Sequence, residues 1–123
     1  MREKTIHKMN LNDSPFKLIS QGSKTIELRL NDEKRQKLTA GDYINFTNLE
    51  TQDEVLVEII KLNLFPDFKT LYKQYDPIAM GYKETDVLDY HDMEKYYSLD
   101  KQKLYSALAI EINLVKERKH NEY

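Results

Sequence analysis

The chain has no cysteine among its 123 residues, and this absence removes several kinds of chemistry at once. Without cysteine there is no disulfide framework, no thiolate metal site and no cysteine nucleophile. No apolar run approaches the roughly 18 residues that span a bilayer, and residues 1–5 lead into no apolar signal region. We therefore expect a soluble, cytoplasmic protein that has no membrane partner.

Glycine and histidine are also scarce, which limits the ligands that the chain can hold. Three glycines cannot supply a glycine-rich phosphate loop. His7, His91 and His120 lie far apart and form no His-x-x-x-His pair, and no Gly-x-Ser-x-Gly motif is present. The sequence therefore predicts neither a metal site nor another cofactor.

The charges are unevenly distributed, although the net charge is only −2. Residues 1–41 carry nine Lys and Arg against five Asp and Glu, whereas residues 42–100 carry five against thirteen. This distribution excludes a globally basic nucleic-acid binder, but it permits a basic face near the N-terminus. We expect any nucleic-acid contact to be local and sensitive to salt.

The hydrophobic pattern predicts four or five short strands separated by short helices. Strands are expected at 5–9, 25–30, 43–48, 54–65 and 107–115, and helices at 14–21, after 67, at 85–97 and at 98–104, with a loop at 76–84. Because strands and helices do not alternate regularly, we do not expect a parallel sheet. We predict an α+β fold, a small mixed β-barrel with short helices packed over its ends.

The last predicted strand alternates, so one face of it is expected to point into the barrel. Leu108, Ile110, Ile112 and Leu114 are predicted to point inward, and Ala109, Glu111 and Asn113 outward. We place a single domain over residues 1–115 and a polar, frayed tail over residues 116–123.

The stretch from Gly22 to Leu30 carries the densest polar chemistry in the chain. From Thr25 onward the side chains alternate, so that Thr25, Glu27 and Arg29 are predicted to share one face of a strand that Lys24 enters. One interpretation is an exposed strand face with a Glu–Arg pair. The other is a polar cleft that binds an anionic or base-like ligand. Spacing alone leaves both open.

Two further features lie late in the chain. Tyr96 and Tyr97 beside Lys95 are candidates for stacking on unpaired bases, although tyrosines at helical spacing are typical of a core edge as well. The acidic residues of the 84–100 region are predicted to spread around a helix as a solvated face; they are Asp86, Asp89, Asp92 and Glu94.

The spacing Gly22-x-Lys24-x-x-Glu27-x-Arg29, followed by Ala40-Gly41-Asp42 and a strand, resembles the signature of the ASCH domain. That domain belongs to the PUA-like superfamily of small β-barrels. The segments 68–72 and 93–98 and the last strand are also similar to small stand-alone, bacterial-type members, so the resemblance covers nearly the whole chain.

The resemblance implies a pseudo-barrel with a cleft that binds RNA or a nucleotide. On that reading Lys24 and Arg29 meet a phosphate or a base edge. Glu27 orients these cations or accepts from an exocyclic amine.

One branch of the family resembles an amidohydrolase that deacylates acetylated cytidine. That pattern needs a threonine nucleophile three residues after the lysine, where this chain has Glu27. Thr25 lies one strand repeat away, and Glu27 acting as a base on water is the remaining route to hydrolysis.

We therefore predict, first, a module that binds RNA or a modified nucleotide through Lys24, Thr25, Glu27, Arg29, Tyr96 and Tyr97. The alternatives are a hydrolase of acylated nucleosides that uses Lys24, Glu27 and Thr25, and a protein-interaction module that uses the acidic 84–100 region. The missing threonine favours binding over turnover. The sequence leaves the oligomeric state open.

Overall fold

The computed structural model describes residues 3–120. The strands are β1 (Ile6–Leu11), β2 (Ile26–Leu30), β3 (Tyr43–Asn48), β4 (Glu54–Phe65) and β5 (Ala107–Arg118). The helices are α1 (Asp13–Ser20), α2 (Phe68–Tyr72), α3 (Pro77–Met80) and α4 (Leu99–Tyr105), and two 3-10 turns lie at Arg35–Lys37 and Tyr90–Lys95.

The five strands form one curled, mixed sheet in the order β1-β3-β4-β5-β2. Strand β1 pairs with β3 in parallel, and the three other pairs are antiparallel. The sheet forms a half-barrel whose edge strands are β1 and β2, and a few short helices pack against it. This confirms the predicted α+β fold and mixed sheet.

The interior of the half-barrel holds the larger core. Phe46, Val55, Val57 and Ile110 contribute side chains that are fully buried, and α1 closes one end with Phe16 and Ile19. In β3 and the first half of β4 every second residue is buried, and this alternation ends at the irregularity after Ile59.

A second core lies outside the sheet, between β2 and β5 and the short helices α2 and α3. Leu28, Phe68, Leu71 and Ala109 pack together there. Ala109 thus points away from the barrel interior, as predicted, but helices cover that face and bury the residue. The inward assignment of Leu114 was wrong, since the residue is 44% exposed.

Local capping explains why the helices between β4 and β5 are short. The Asp67 side chain accepts from the Thr70 amide at the start of α2, and Ser98 accepts from Lys101 at the start of α4. Pro77 begins α3, which Gly81 ends in the left-handed conformation. The predicted loop at 76–84 thus contains a helix.

The helix predicted over residues 85–97 is absent. Asp86 accepts from the Lys83 amide, and Asp89 accepts from the His91 amide, so short carboxylates take the backbone bonds that a helix would use. Only the 3-10 turn at Tyr90–Lys95 forms in this segment. Its acidic residues therefore lie on turns and not around a helix.

Strand β5 continues to Arg118, three residues into the stretch predicted as a tail, and residues 121–123 of that stretch lie outside the described residues. Within residues 3–120, every helix is too short to cross a lipid bilayer.

Candidate functional site

A cleft of about 610 Å³ opens between strand β2 and residues 82–97. This volume lies within the roughly 300–1,000 Å³ of typical small-molecule sites. One side is the β2 wall, which we define as Lys24, Glu27, Leu28 and Arg29. The other side is the loop wall, residues 82–97, which contributes Tyr82, Asp86, Asp92, Met93, Lys95, Tyr96 and Tyr97. Asn10, Asn12 and Ser14 border the opening near β1.

Lys24 is buried beneath the cleft, with only 6% of the residue exposed. Its Nζ donates to the Ile26 carbonyl oxygen at 2.9 Å and to the Met80 carbonyl oxygen at 2.8 Å. It also lies 3.4 Å from Oε1 of Glu27. An ammonium group has three N–H donors, and these three partners occupy them. Lys24 therefore holds Glu27 and fastens α3 to β2.

Gly81 makes room for this lysine. A Cβ at position 81 would lie 3.2 Å from Cδ and 3.3 Å from Nζ of Lys24. The backbone φ of +107° also favours glycine. Glycine at this position thus permits both the end of α3 and the close approach of Lys24.

Glu27 and Arg29 complete a buried charged group with Lys24. Nε of Arg29 donates to Oε2 of Glu27 at 2.8 Å, and Nη2 donates to the Asn10 carbonyl oxygen at 2.9 Å. Arg29 thereby bridges β2 to β1 across the open side of the half-barrel. A guanidinium has five N–H donors. Among residues 3–120 these two bonds use two of them, which leaves three donors without a protein partner.

The electrostatics of this group keep Glu27 ionised. Burial alone would raise the pKa of Glu27, but the charges of Lys24 and Arg29 lower it overall. Burial would likewise lower the pKa of Arg29, yet Glu27 raises it. For Lys24 the burial effect prevails and lowers the pKa, against the attraction of Glu27. The group is a preformed ion cluster with one carboxylate between two cations.

A chain of hydroxyl groups fixes the base of the loop wall. The hydroxyls of Tyr72 and Tyr82 lie 2.9 Å apart, and Tyr82 donates to Oδ2 of Asp92 at 2.8 Å. Burial and these two partners raise the pKa of Tyr82, so it remains a neutral donor. The chain ties α2 to the loop wall.

Tyr96 and Tyr97 stand at the mouth of the cleft in different environments. Tyr97 stacks on Phe68 with ring centroids 5.7 Å apart and planes 18° apart. Tyr96 is 67% exposed, and its ring centroid lies 6.4 Å from that of Tyr97. One ring is therefore supported by the core, and the other offers an open face.

Most of the residues singled out from the sequence meet in this cleft, but Thr25 does not. Lys24, Glu27, Arg29, Tyr96 and Tyr97 all line it. Thr25 is exposed and lines a smaller depression beside Gly22 and Ile112. Its amide donates to the Ala79 carbonyl oxygen, and its own carbonyl accepts from Ile112, so its backbone fastens β2 to α3 and β5.

The Gly41-Asp42 part of the signature lies away from the cleft lining. The buried Asp42 accepts from the Thr5 amide, and its Oδ2 lies 2.9 Å from Nε2 of His7. These bonds attach the first strand to the start of β3. Asp42 thus contributes to the half-barrel and not to the cleft wall.

Sequence reasoning missed Tyr72, Tyr82, Asp92 and Asn10 as cleft residues. The helical spacing of Tyr72 carries no sign that its hydroxyl meets Tyr82. Nothing in the sequence around Asn10 shows that its carbonyl accepts from Arg29. These contacts join residues distant in sequence, so no local pattern signals them.

Comparisons with known proteins identify the family of this chain. The family model of the ASCH domain matches residues 9–116, which is most of the chain. A search of curated proteins with this chain found no match. The crystal structure of hypothetical protein PH0355 is similar with a TM-score of 0.76 and 25% identity, covering 90% of this chain and 100% of that one.

Two further solved structures share the fold. The solution structure of PF0455 from Pyrococcus furiosus has a TM-score of 0.68 and 24% identity, covering 91% of this chain and 99% of that one. The crystal structure of the S128A mutant of ZmASCH from Zymomonas mobilis has a TM-score of 0.67 and 15% identity, covering 97% of this chain and 77% of that one. With the family model matched over residues 9–116, this chain belongs to the ASCH domain family.

Proposed function

We propose that this chain binds RNA or a nucleotide in the cleft between the β2 wall and the loop wall. The observation that carries the proposal is the guanidinium of Arg29, which is held in place by Glu27 and Asn10 and keeps three donors for a ligand. Arginine is well suited to base edges and phosphates because its donors form a planar fork.

The tyrosines at the mouth supply the second element of recognition. Tyr96 has an exposed ring, and Tyr97 has a ring supported by Phe68. Unpaired bases stack on such rings with little dependence on sequence, at about 1–3 kcal/mol per base. A fixed guanidinium beside exposed aromatic rings is thus a combination that suits a single-stranded nucleic acid.

Within this proposal Lys24 acts as a positioning residue, since its donors are occupied by Ile26, Met80 and Glu27. Glu27 orients Arg29 and has lone pairs for an exocyclic amine. Thr25 has no role in the site, because it faces another depression.

The hydrolase alternative loses its main support from these contacts. It requires Glu27 to act as a base on water, which a raised pKa would favour. The pKa of Glu27 is lowered instead, and both carboxylate oxygens face cations. We expect no release of acetyl groups when the protein is incubated with acetylated cytidine, followed by chromatography.

The protein-interaction alternative rested on the acidic 84–100 region. Two of its carboxylates, Asp86 and Asp92, line the cleft, and Asp89 accepts from His91. This alternative is tested by replacing Asp86, Asp89 and Asp92 together with asparagine and comparing the proteins that the variant and the unmodified protein retain in a pull-down. An unchanged set of partners is expected.

The binding proposal is tested by fluorescence anisotropy with a labelled single-stranded RNA of eight nucleotides. Tyr96→Ala should weaken binding by about 1–3 kcal/mol, or roughly 5- to 150-fold, because a stacking surface is lost. Arg29→Lys keeps the charge but loses the planar fork, and we expect a loss of about tenfold or more.

Tyr43→Ala is the matched control, because Tyr43 is a partly exposed ring on β3 outside the cleft lining. It should bind RNA like the unmodified protein. Equal affinities for all four proteins would overturn the assignment of the site. Circular dichroism of each variant checks that the fold is retained.

A further inference from the structure

The ionic side chains that line the cleft are balanced. Three are cations, Lys24, Arg29 and Lys95, and three are anions, Glu27, Asp86 and Asp92. Glu27 lies between two cations, which leaves the β2 wall with one positive charge, and the loop wall has one negative charge in excess, with Nζ of Lys95 3.9 Å from Asp92. A phosphate inside this cleft would meet carboxylates without an excess of positive charge. The cleft therefore fits an uncharged polar group better than an anion.

The polar groups of the two walls differ in kind. On the β2 wall, the three donors of Arg29 that remain require acceptors from a ligand. On the loop wall, the carboxylates of Asp86 and Asp92 are acceptors only. Each carries about four lone-pair sites, of which Asp86 uses one for the Lys83 amide and Asp92 uses one for Tyr82. A matching ligand thus presents acceptors on one edge and donors on another.

Among the four RNA bases, guanine combines these edges. Its O6 and N7 are adjacent acceptors that pair with an arginine fork. Its N1–H and N2–H groups are adjacent donors that pair with a carboxylate. Adenine places its N6 amine next to N7, which would set a donor against Arg29. Cytosine offers the acceptors O2 and N3 but only one amine as donor, and uracil alternates acceptors and donors.

We propose, on the basis of the function proposed above, that the cleft selects an unpaired guanine. Arg29 reads O6 and N7, Asp92 accepts from N1–H and N2–H, and Tyr96 provides the ring for stacking. The phosphates stay outside the cleft. The same base can arrive in a strand of RNA or as a free nucleoside, and the experiment separates these sources.

The experiment compares five-nucleotide RNAs that differ only in a central base within flanking adenosines. Binding is measured by isothermal titration with guanine, 7-deazaguanine, hypoxanthine, adenine or cytosine at the centre. Guanine should bind about tenfold or more tightly than adenine or cytosine. Removing N7 or the N2 amine should each lower affinity severalfold, because one hydrogen bond is lost at each edge.

Guanosine alone is titrated in a separate arm. An affinity close to that of the guanine-centred strand identifies a free nucleoside as sufficient, and a much weaker one identifies RNA as the source. Either result supports selection of the base.

Asp92→Asn tests the carboxylate directly. It should remove the difference between guanine and hypoxanthine at the centre, because an amide offers only one oxygen as an acceptor. Glu84→Gln is the matched control on the loop wall, since Glu84 is exposed and outside the cleft lining. It should keep that difference.

Equal binding of the guanine- and adenine-centred strands, with binding still weakened by Arg29→Lys, would overturn the selection of guanine and leave the binding proposal intact. Preference for cytosine would do the same. Absence of binding by every strand and by guanosine would overturn both.

Discussion

The two walls of the cleft are built in opposite ways. The β2 wall is a strand in a sheet, with Lys24 and Glu27 buried and joined to Arg29 in one ion cluster. The loop wall consists of turns and one 3-10 segment, with exposed side chains such as Val87, which is 84% exposed. One wall is fixed before a ligand arrives, and the other is fastened mainly through Tyr82 and Tyr97.

This difference indicates that the two walls have different roles in binding. A side chain that is already held by hydrogen bonds on a buried neighbour loses little entropy on binding, so Arg29 is preorganised. No residue of the loop wall is fully buried, although Tyr82, Met93 and Tyr97 pack against the second core, and incomplete burial is typical of segments that open locally at low cost. We infer that the β2 wall sets orientation and that the loop wall adapts to the ligand.

The largest effect on stability is expected from Glu27→Gln on the β2 wall. The amide leaves Lys24 and Arg29 as buried cations without their anion, which should lower the free energy of unfolding by about 3–5 kcal/mol. Urea unfolding followed by circular dichroism measures this. Glu84→Gln on the loop wall is the control and should leave the midpoint unchanged. A similar small effect for both variants would remove the contrast between the walls.

Gly81→Ala should have the next largest effect. Its left-handed φ of +107° costs alanine about 1–2 kcal/mol, and its Cβ would press on Lys24 at 3.2 Å. Gly22→Ala is the matched control, because Gly22 has φ +84° but open space around its Cβ position. We expect Gly81→Ala to cost about 1 kcal/mol more than Gly22→Ala in the same unfolding assay. Equal costs would show that Lys24 does not need the glycine.

Lowering the pH should reduce the stability that the β2 wall contributes through Glu27. Because the pKa of Glu27 is below its usual 4.5 in the folded state, the unfolded chain binds more protons as the pH falls through that range. The stabilisation by Glu27 is thus present above about pH 4.5 and is lost as the pH falls further. Urea unfolding from pH 7 to pH 3 should show a steeper decline for the unmodified protein than for Glu27→Gln. Parallel declines would contradict the lowered pKa.

The smallest effect is expected from Tyr82→Phe, which removes the hydroxyl between Tyr72 and Asp92. Loss of this hydroxyl should lower the free energy of unfolding by about 0.5–1.5 kcal/mol, and the effect should be concentrated in the loop wall. Hydrogen exchange should accelerate in residues 82–97 while the amides of β2 keep their protection. Tyr105→Phe, which loses a hydroxyl bonded to Glu33 outside the cleft, is the control. Faster exchange in β2 after Tyr82→Phe would show that the walls are one cooperative unit.

The same contrast explains what the sequence could predict. The bounds of β3 and β4 followed from the hydrophobic pattern of each segment, which is a local signal, and the mixed sheet followed from the irregular order of strands and helices. The pairing of Glu27 with Arg29 also followed, since residues two apart on a strand share a face. The helix predicted at 85–97 failed because Asp86 and Asp89 cap turns, and periodicity does not reveal this competition.

Contacts distant in the chain were beyond sequence reasoning. Lys24 was assigned to ligand contact, but its bond to the Met80 carbonyl depends on how α3 docks against β2. Ala109 was expected on the outward face of β5, but the strand pattern does not show that helices cover that face. Thr25 was placed on the same face as Glu27 because residues two apart on a strand share a face. It precedes β2, however, and lines another depression.

The most direct measurement is a nuclear magnetic resonance titration of the isotope-labelled protein with the single-stranded RNA. We predict that the largest shifts occur at the Arg29 side-chain Nε–H and at the backbone amides of Asn10, Tyr96 and Tyr97, on both walls of the cleft. Shifts confined to another face, with the Arg29 signal unmoved, would contradict the assignment of the cleft as the binding site.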